Sequence, residues 1–212
     1  MPAFAKKKFI KRENIDPRTF VVLGDSEAAL AAIDGLRASF TGRIVVVPSS
    51  PYGQFENTDI LNRKFTPLQK NEVYMVEEDY LDRANVDVVK GEIKTIDLNR
   101  NQIVVKGVKE SIHFDKVLVA WGAYKKRLGT QEYSNVFYLE DRHSHARCHN
   151  EIIKAKTIVV MGGTFEAYQT AASIREYLDS IDYKEVQIVL LNPELSEVHQ
   201  SFGKQIEKEV SA

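Results

Sequence analysis

The chain carries the same pattern of apolar and polar positions twice. In each copy a β-branched apolar run is followed directly by glycine and then by the alanine-rich opening of a helix. The first copy spans Phe20 to Leu30, and the second spans Thr157 to Tyr168. Each copy predicts a buried strand, a tight turn and a helix that packs back against the strand.

The turns resemble G-x-G-x-x-G, in which the first glycine makes the turn, the second lets a diphosphate approach the backbone, and the third position packs the helix on the strand. Phosphates would then lie on the free amides at the positive end of the helix. Both copies keep glycine first and alanine third, but a side chain stands at the second position. In order, the three positions are Gly24, Ser26 and Ala29 in the first copy, and Gly162, Thr164 and Ala167 in the second.

Acidic residues are placed unfavourably for a nucleotide in both copies. Glu27 and Glu166 add negative charge to the first helical turn, where it repels a diphosphate. The acid that normally binds a ribose at the end of the second strand is missing, since Pro48-Ser49 and Asn192-Pro193 stand there. We therefore expect two units kept for their fold, and the alternative is two divergent but working sites.

The remaining pattern alternates strands and helices, which favours an α/β fold with parallel sheets covered by helices on both faces. A hairpin around Asn99-Arg100-Asn101 predicts an additional small antiparallel sheet, and Lys116–Ala120 is expected to be a central strand. Helices are expected over residues 26–40, 57–65, 71–81, 141–154 and 165–178, with a last one from about 201 to the end. Strands are expected over residues 43–47, 86–89, 91–96, 102–105, 112–114, 116–120, 136–139 and 186–191.

Composition narrows the class of protein. The 212 residues are 43% hydrophobic and 28% charged, with a net charge of -1, which suits one large or two small globular domains. No apolar run is long enough for a transmembrane helix, and the charge balance gives no reason to expect nucleic-acid binding. Cys148 is the only cysteine, so an internal disulfide and a redox-active Cys-x-x-Cys pair are both excluded.

Other candidate chemistry is weak. His145, Cys148 and His149 lie close together on a predicted helix and could contribute to a zinc site, but a fourth ligand is not evident. We favour a solvated polar helix face and expect no metal and no catalytic residue. The basic clusters at residues 6–8 and 125–127 indicate solvated surface or contact with an acidic partner or lipid headgroups. Tyr52, Phe55 and Trp121 could stack on a ring or simply pack the core.

The order of these segments resembles the two-dinucleotide-binding flavoproteins of the pyridine nucleotide-disulfide oxidoreductase superfamily. It is most similar to the branch of apoptosis-inducing factor and of ferredoxin and rubredoxin reductases. The segments that carry the resemblance are Phe20–Leu36, Phe40–Tyr52, Asp115–Gly122, Asn135–Leu139 and Thr157–Ala172. The resemblance implies a Rossmann-like FAD- and NAD(P)-binding fold.

The chain departs from this family at several functional positions. Glu56-Asn57-Thr58 replaces the family's Asp-Arg-Pro, which leaves Arg63 or Lys64 as the only candidates for its flavin-side base. Trp121 replaces the threonine of the Ala-Thr-Gly strand end. The resemblance also implies that the second nucleotide-binding domain is incomplete, since the family continues with a returning flavin segment and an interface domain.

The resemblance implies three segments: a basic arm over residues 1–19, an FAD-binding-like domain over 20–134 and a partial NAD(P)-binding-like domain over 135–212. The arm would dock on a partner or be the remnant of a transit peptide. An incomplete sheet would leave apolar surface open, so we expect other protein subunits or a homo-oligomer to cover it. The positions that would contact cofactors, as vestigial sites, are Gly24, Ser26, Ala29, Ala120, Gly122, Gly162, Gly163 and Ala167.

These departures favour a non-catalytic accessory subunit of a larger assembly, mitochondrial and of the respiratory-chain kind, or otherwise cytoplasmic, with no bound cofactor. The second hypothesis is an enzyme: half of a split FAD-dependent NAD(P)H oxidoreductase that binds FAD and NAD(P)H. A third hypothesis is a binding module that holds one nucleotide at Gly24 without redox chemistry.

Overall fold

The structure is a computed structural model, and it describes residues 9–49, 55–56, 60–77, 79–123, 126–127, 129, 133–192, 200–201, 205 and 208. The chain forms two compact units. The first unit comprises Met1–Asn57 and Tyr74–Tyr124, and the second comprises Thr58–Val73 and Lys125–Ala212. The expected last helix, from about residue 201, lies largely outside the described residues.

A four-stranded parallel sheet organises the first unit. Its strands, in spatial order, are β3 (Val86–Val88), β2 (Arg43–Val47), β1 (Thr19–Leu23) and β7 (Lys116–Val119). The expectation that residues 116–120 form a central strand was wrong for the part of the chain that the structure describes, because β7 pairs there with β1 alone and lies at the edge of this sheet. β1 and β2 are in register from Thr19 opposite Arg43 to Leu23 opposite Val47.

The two faces of this sheet are covered differently. Helix α1 (Glu27–Leu36) packs Leu30 and Ile33 against Val22, Ile44 and Val46. The opposite face packs on a three-stranded antiparallel sheet. That sheet consists of β4 (Ile93–Asp97), β5 (Gln102–Val105) and β6 (Ile112–His113). Burial on both faces explains the nearly continuous apolar sequences of β1 and β2. The predicted α/β fold and hairpin sheet are therefore confirmed. In the first unit the helices expected on both faces cover one face, because the antiparallel sheet covers the other.

A fully buried arginine, Arg37, caps the C-terminal end of α1 and binds the backbone around it. Arg37 is 0% exposed, and its guanidinium donates to the carbonyls of Phe40, Gly42, Ala84 and Asn85 at 2.6–2.9 Å. Burial lowers the pKa of this guanidinium. The helix expected over 26–40 ends at Leu36, because Arg37 caps it and then binds the carbonyls of the turn that follows.

The second unit contains a two-stranded parallel sheet of β8 (Thr157–Met161) and β9 (Gln187–Leu191). Helices α5 (Arg142–Ile152) and α6 (Phe165–Ser180) belong to it, as do the short helices α2 (Ile60–Arg63) and α3 (Lys70–Val73). The buried core residues of this unit are Phe65, Cys148, Ile152, Ile174, Leu178 and Val186.

Two predicted elements are absent from the described residues. The helix expected over 71–81 is replaced by the end of α3 and by α4 (Tyr80–Arg83), because Tyr74 bridges to Glu56 as an extended residue. The strand expected over 136–139 does not form. Instead, the guanidinium groups of Arg147 and Arg127 lie over the rings of Phe137 and Tyr138.

Among the described residues, no helix has both the length and the apolar character needed to cross a bilayer.

We expect Arg37→Met to lower the free energy of unfolding by about 3 kcal/mol, because it leaves four backbone carbonyls without their donor in a buried environment. Arg100→Met is the matched control, since the side chain of Arg100 is 79% exposed. It should change the free energy by less than about 0.5 kcal/mol. Urea denaturation followed by circular dichroism measures both, and equal effects would contradict the role given to Arg37.

Candidate functional site

The first glycine turn joins β1 to α1 through a close crossing of two backbone segments. Gly24 has φ 121°, and its amide donates to the Val47 carbonyl at 2.8 Å. A Cβ placed on Gly24 would lie 2.1 Å from the Ala120 carbonyl oxygen. Only glycine fits here, on grounds of both backbone conformation and space.

Ser26 ties this turn to the end of β7. Its hydroxyl accepts from the Ala29 amide at 3.4 Å, as an N-cap, and donates to the Ala120 carbonyl at 2.7 Å. A Cβ on Gly122, which has φ 72°, would lie 3.9 Å from the Ser26 Cβ. The structure thus brings together all five candidate residues of the first unit.

The start of α1 remains accessible beyond this cap. Glu27 and Ala28 are exposed, and their amides donate to no residue that the structure describes. These two N–H groups lie at the carboxyl end of a parallel sheet and at the positive end of a helix, which is a typical anion-binding position. The exposed Glu27 carboxylate is screened by water, so its repulsion of an anion is weak.

A carboxylate lies beside the same turn. One oxygen of Asp25, Oδ1, accepts hydrogen bonds from both the hydroxyl and the amide of Ser49, the amide at 3.2 Å. Ser49 follows the end of β2, where the sequence lacks an acid. The Asp25 carboxylate is thereby held next to the end of the second strand.

The second glycine turn, between β8 and α6, has similar geometry and a different helix start. Gly162 has φ 147°, and a Cβ on it would lie 3.2 Å from the Ala167 Cβ, so strand and helix pack closely. Gly163 is buried. Thr164 is the N-cap of α6, but its hydroxyl makes no capping hydrogen bond. A ligand can therefore use this helix start without displacing a side-chain cap.

An unsatisfied acceptor lies at the end of β9. The Asn192 side-chain amide donates from Nδ2 to the hydroxyl of Tyr168, in the first turns of α6, at 2.8 Å. Its Oδ1 is buried and has no hydrogen-bond partner among the residues that the structure describes. Buried acceptors are seldom left unpaired in proteins, so this oxygen is a candidate contact for a ligand hydroxyl.

The histidine–cysteine cluster on α5 is not a polar surface, and that expectation was wrong. His145 is 2% exposed, its Nε2 is 2.8 Å from the Lys64 carbonyl oxygen, and its ring lies against Phe65. Burial raises the pKa of the Cys148 thiol to about 11, which opposes the thiolate form that metals require. The described residues contain no group of three or more His, Cys, Asp or Glu placed to hold a metal ion.

Other candidates are placed as follows. Phe55 is buried in the core of the first unit, Trp121 is 40% exposed, and Tyr52 lies outside the described residues, as does the basic cluster at residues 6–8. Lys64 forms an ion pair with Glu72 inside the second unit. The hydrogen bond from Lys64 holds the pKa of Glu72 below its ordinary value.

Sequence reasoning missed two pairs, Asp25–Ser49 and Tyr168–Asn192. The sequence motif places the acid after the second strand, whereas Asp25 directly follows the glycine. The informative pattern is a polar residue within two positions of each second-strand end, Ser49 and Asn192. The spacing alone does not show which residue of the turn it meets.

The geometry is that of an α/β dinucleotide-binding protein. In the first unit a strand of the parallel sheet is followed by a glycine turn and an accessible helix start. The second unit contains a second glycine turn of the same kind. The family model for pyridine nucleotide-disulphide oxidoreductases matches residues 18–212. The chain belongs to this family.

Relatives agree with this assignment. The chain is 23% identical over 159 residues to the ferredoxin–NAD(+) reductase component of a 3-phenylpropionate/cinnamic acid dioxygenase from Photorhabdus laumondii, an alignment that covers 74% of this chain and 40% of the relative. Among solved structures it resembles putidaredoxin reductase in its covalent complex with putidaredoxin, with TM-score 0.75, 18% identity, and coverage of 92% of this chain and 48% of that one.

It also resembles a ferredoxin reductase from Rhodopseudomonas palustris, with TM-score 0.74, 17% identity, and coverage of 91% and 48%. The chain therefore spans about half the length of the proteins it matches.

These comparisons overturn the expectation of a non-catalytic accessory subunit, because the relatives are reductases acting in redox reactions. They likewise do not support the expectation that no cofactor is bound, since the family is one of FAD-dependent NAD(P)H oxidoreductases. The second hypothesis, part of such an oxidoreductase, fits them better.

We expect Gly24→Ala to lower the free energy of unfolding by more than about 2 kcal/mol, because the added methyl overlaps the Ala120 carbonyl at a positive φ. Gly35→Ala is the control within α1, since a Cβ there meets nothing within 4 Å. It should stabilise by about 0.5–1 kcal/mol. Thermal and urea unfolding would measure both changes, and a neutral Gly24→Ala would disprove the close crossing.

Stability should also fall in mild acid because of His145. Burial lowers its pKa below the ordinary 6.5, so below that pH the unfolded state binds more protons than the folded state. The contribution is complete above pH 6.5 and declines as the pH falls, by up to about 1 kcal/mol per pH unit. We expect His145→Gln, which keeps a donor, to flatten the profile of unfolding free energy between pH 7.5 and 5.5.

The exposed His143 provides the control for this profile. His143→Gln should keep the wild-type slope. If His143→Gln flattened the profile as much as His145→Gln does, the slope would not originate from the buried ring.

Proposed function

We propose that this chain is the nucleotide-binding part of an FAD-dependent NAD(P)H oxidoreductase of the ferredoxin reductase type. The observation that carries the proposal is the first glycine turn. Gly24 makes the crossing and Ser26 turns its hydroxyl towards Ala120, so the amides of Glu27 and Ala28 stay open to a diphosphate.

The first unit would hold FAD. Its diphosphate would accept hydrogen bonds from the amides of Glu27 and Ala28 and gain from the dipole of α1. The geometry of the turn supports the fit. The Ser26 hydroxyl donates to the Ala120 carbonyl and accepts from the Ala29 amide, so it hydrogen-bonds to neither the Glu27 amide nor the Ala28 amide. Ala29 and Gly122 would keep helix and strand end close to the ligand, and Ala120 would hold Ser26 in place.

The second unit would hold NAD(P)H at the turn of Gly162, Gly163 and Thr164, with Ala167 packing the helix start on the strand. The Oδ1 of Asn192 has no partner in the described part of the chain, and this supports the fit, because a ribose hydroxyl would satisfy it. An amide carries no charge, so it would not repel a 2′-phosphate as a carboxylate does. The second unit would therefore discriminate weakly between NADH and NADPH.

When bound, the two cofactors would supply hydride transfer from the nicotinamide to the flavin. The contribution of this chain is to bind and orient them through backbone amides and hydroxyl acceptors. The chain spans about half of its relatives, so the rest of the reaction site would come from protein outside these 212 residues, in the same or another polypeptide. A small ferredoxin-type protein would be the redox partner.

In this proposal the predicted flavin domain is residues 20–134 and the predicted nicotinamide domain is residues 135–212, preceded by the basic arm. Residues 58–73 and 125–134 of the predicted flavin domain belong to the second compact unit. We place the chain with apoptosis-inducing factor and the ferredoxin reductases within the family. Mitochondrial location and membership of a larger assembly stay predictions.

Binding of FAD to the first unit can be tested with the only tryptophan in the chain, Trp121. Its Cα lies 3.0 Å from the position of a Cβ on Gly24, so a flavin nucleotide at the turn should quench its fluorescence. We expect saturable quenching by FAD at one equivalent, undiminished in Gly35→Ala. Quenching that stays linear with FAD concentration, as free flavin gives, would refute the proposal.

Asn192→Ala should weaken NADH binding about tenfold, because one ribose hydrogen bond is lost, and should leave FAD quenching of Trp121 unchanged. Isothermal titration with NADH measures the change. Asn150→Ala, an exposed amide on α5, serves as the control and should bind NADH as the wild type does. Equal NADH affinity in both variants would remove Asn192 from the site.

A further inference from the structure

The first unit has a carboxylate where a ribose would lie, although none follows its second strand. In dinucleotide-binding βαβ units an acid at the end of the second strand accepts a hydrogen bond from the ribose of the adenosine. Here β2 ends at Val47 and is followed by Pro48 and Ser49. By sequence position, the acceptor is therefore missing.

The turn brings a carboxylate to that position from another part of the chain. Leu23 pairs with Val47 at the ends of β1 and β2, and the Gly24 amide donates to Val47. Asp25 is the next residue, so its side chain begins beside the end of β2. The Ser49 hydroxyl and amide both donate to Asp25 Oδ1, which anchors the carboxylate there.

We propose that Asp25 supplies the ribose-binding carboxylate of the first unit, with Ser49 holding it at the end of β2. The ligand would be the adenosine half of a dinucleotide with an unmodified ribose, since a 2′-phosphate would be repelled. This inference rests on the proposed binding of FAD in the first unit. Asp25 is partly exposed and Ser49 is exposed, so a ribose can reach the pair.

The direction in which an Asp25 substitution changes FAD affinity distinguishes two possible roles of this carboxylate. A carboxylate near a bound diphosphate weakens binding if it makes no contact with the ligand, so removing its charge would then tighten binding. A carboxylate that accepts ribose hydroxyls strengthens binding, because hydrogen bonds to charged acceptors are the stronger ones. The two roles therefore predict opposite effects of the same substitution.

The test uses the full 212-residue chain, FAD quenching of Trp121, and displacement of FAD by ADP or by 2′-deoxy-ADP. We expect the wild type to bind ADP about tenfold more tightly than 2′-deoxy-ADP. Asp25→Asn keeps an oxygen for Ser49 to donate to, and it should weaken FAD binding about tenfold and abolish the preference for ADP. A purely structural role for Asp25 would not change this preference.

Two further variants complete the design. Glu110→Gln removes the same charge from an exposed position of the first unit outside the turn, and it should leave FAD binding unchanged. Asp25→Asn combined with Ser49→Asp returns a carboxylate to the second-strand end, and it should recover part of the preference for ADP. Circular dichroism melting curves establish that each variant is folded.

The inference is overturned if Asp25→Asn binds FAD as tightly as the wild type or more tightly, or if the wild type does not distinguish ADP from 2′-deoxy-ADP. In either case saturable FAD quenching by the wild type would leave the proposed function intact. If the wild type shows no saturable quenching, the proposed function fails, and the role of Asp25 fails with it.

Discussion

The backbone of Gly24 crosses the Ala120 carbonyl so closely that a single methyl group would not fit between them. This crossing joins the first strand, the first helix and the edge strand at one point. Because β1 is hydrogen-bonded to both β2 and β7, the crossing also fixes where the ends of the three strands lie. Gly24, Ser26, Ala120 and Gly122 all lie at this crossing.

The side chains around the crossing show how substitutions in a binding motif can be accommodated. Ser26 stands where a second glycine is usual, yet its hydroxyl is directed to Ala120 and to the Ala29 amide. Usually the acid lies at the end of the second strand. Here Asp25 lies in the turn and accepts hydrogen bonds from Ser49, which follows the second strand. In the proposed site the sequence motif is changed, while accessible amides and a carboxylate lie at the positions where the proposal needs them.

Much of the fold could be predicted from local pattern. Two apolar runs ending in glycine specified β1 and β8, and alternation around residues 99–101 specified the hairpin. The predictions were wrong where contacts between residues far apart in the sequence determine the local structure. Tyr74 is extended because it bridges to Glu56, and β7 is an edge strand because only β1 pairs with it among the described residues.

The prediction of a non-catalytic accessory subunit was wrong for a physical reason. A sequence motif specifies which residue types stand at which spacing, whereas binding depends on where amides and oxygens point. No sequence pattern shows the direction of the Ser26 hydroxyl, or that the Asn192 Oδ1 lacks a partner within the described ranges. Burial of His145 was equally hidden, because a polar helix sequence gives no sign that one face packs against Phe65.

The most direct test of the account is to map FAD onto the backbone amides by NMR. In ¹H–¹⁵N correlation spectra of the isotopically labelled chain, saturating FAD should shift the amides of Glu27 and Ala28 most strongly, together with Ser49. The amides of the buried strand β5 should stay in place. Saturation by FAD without shifts at the start of α1, or no spectral change at all, would contradict the claim that the altered glycine turn is a working nucleotide site.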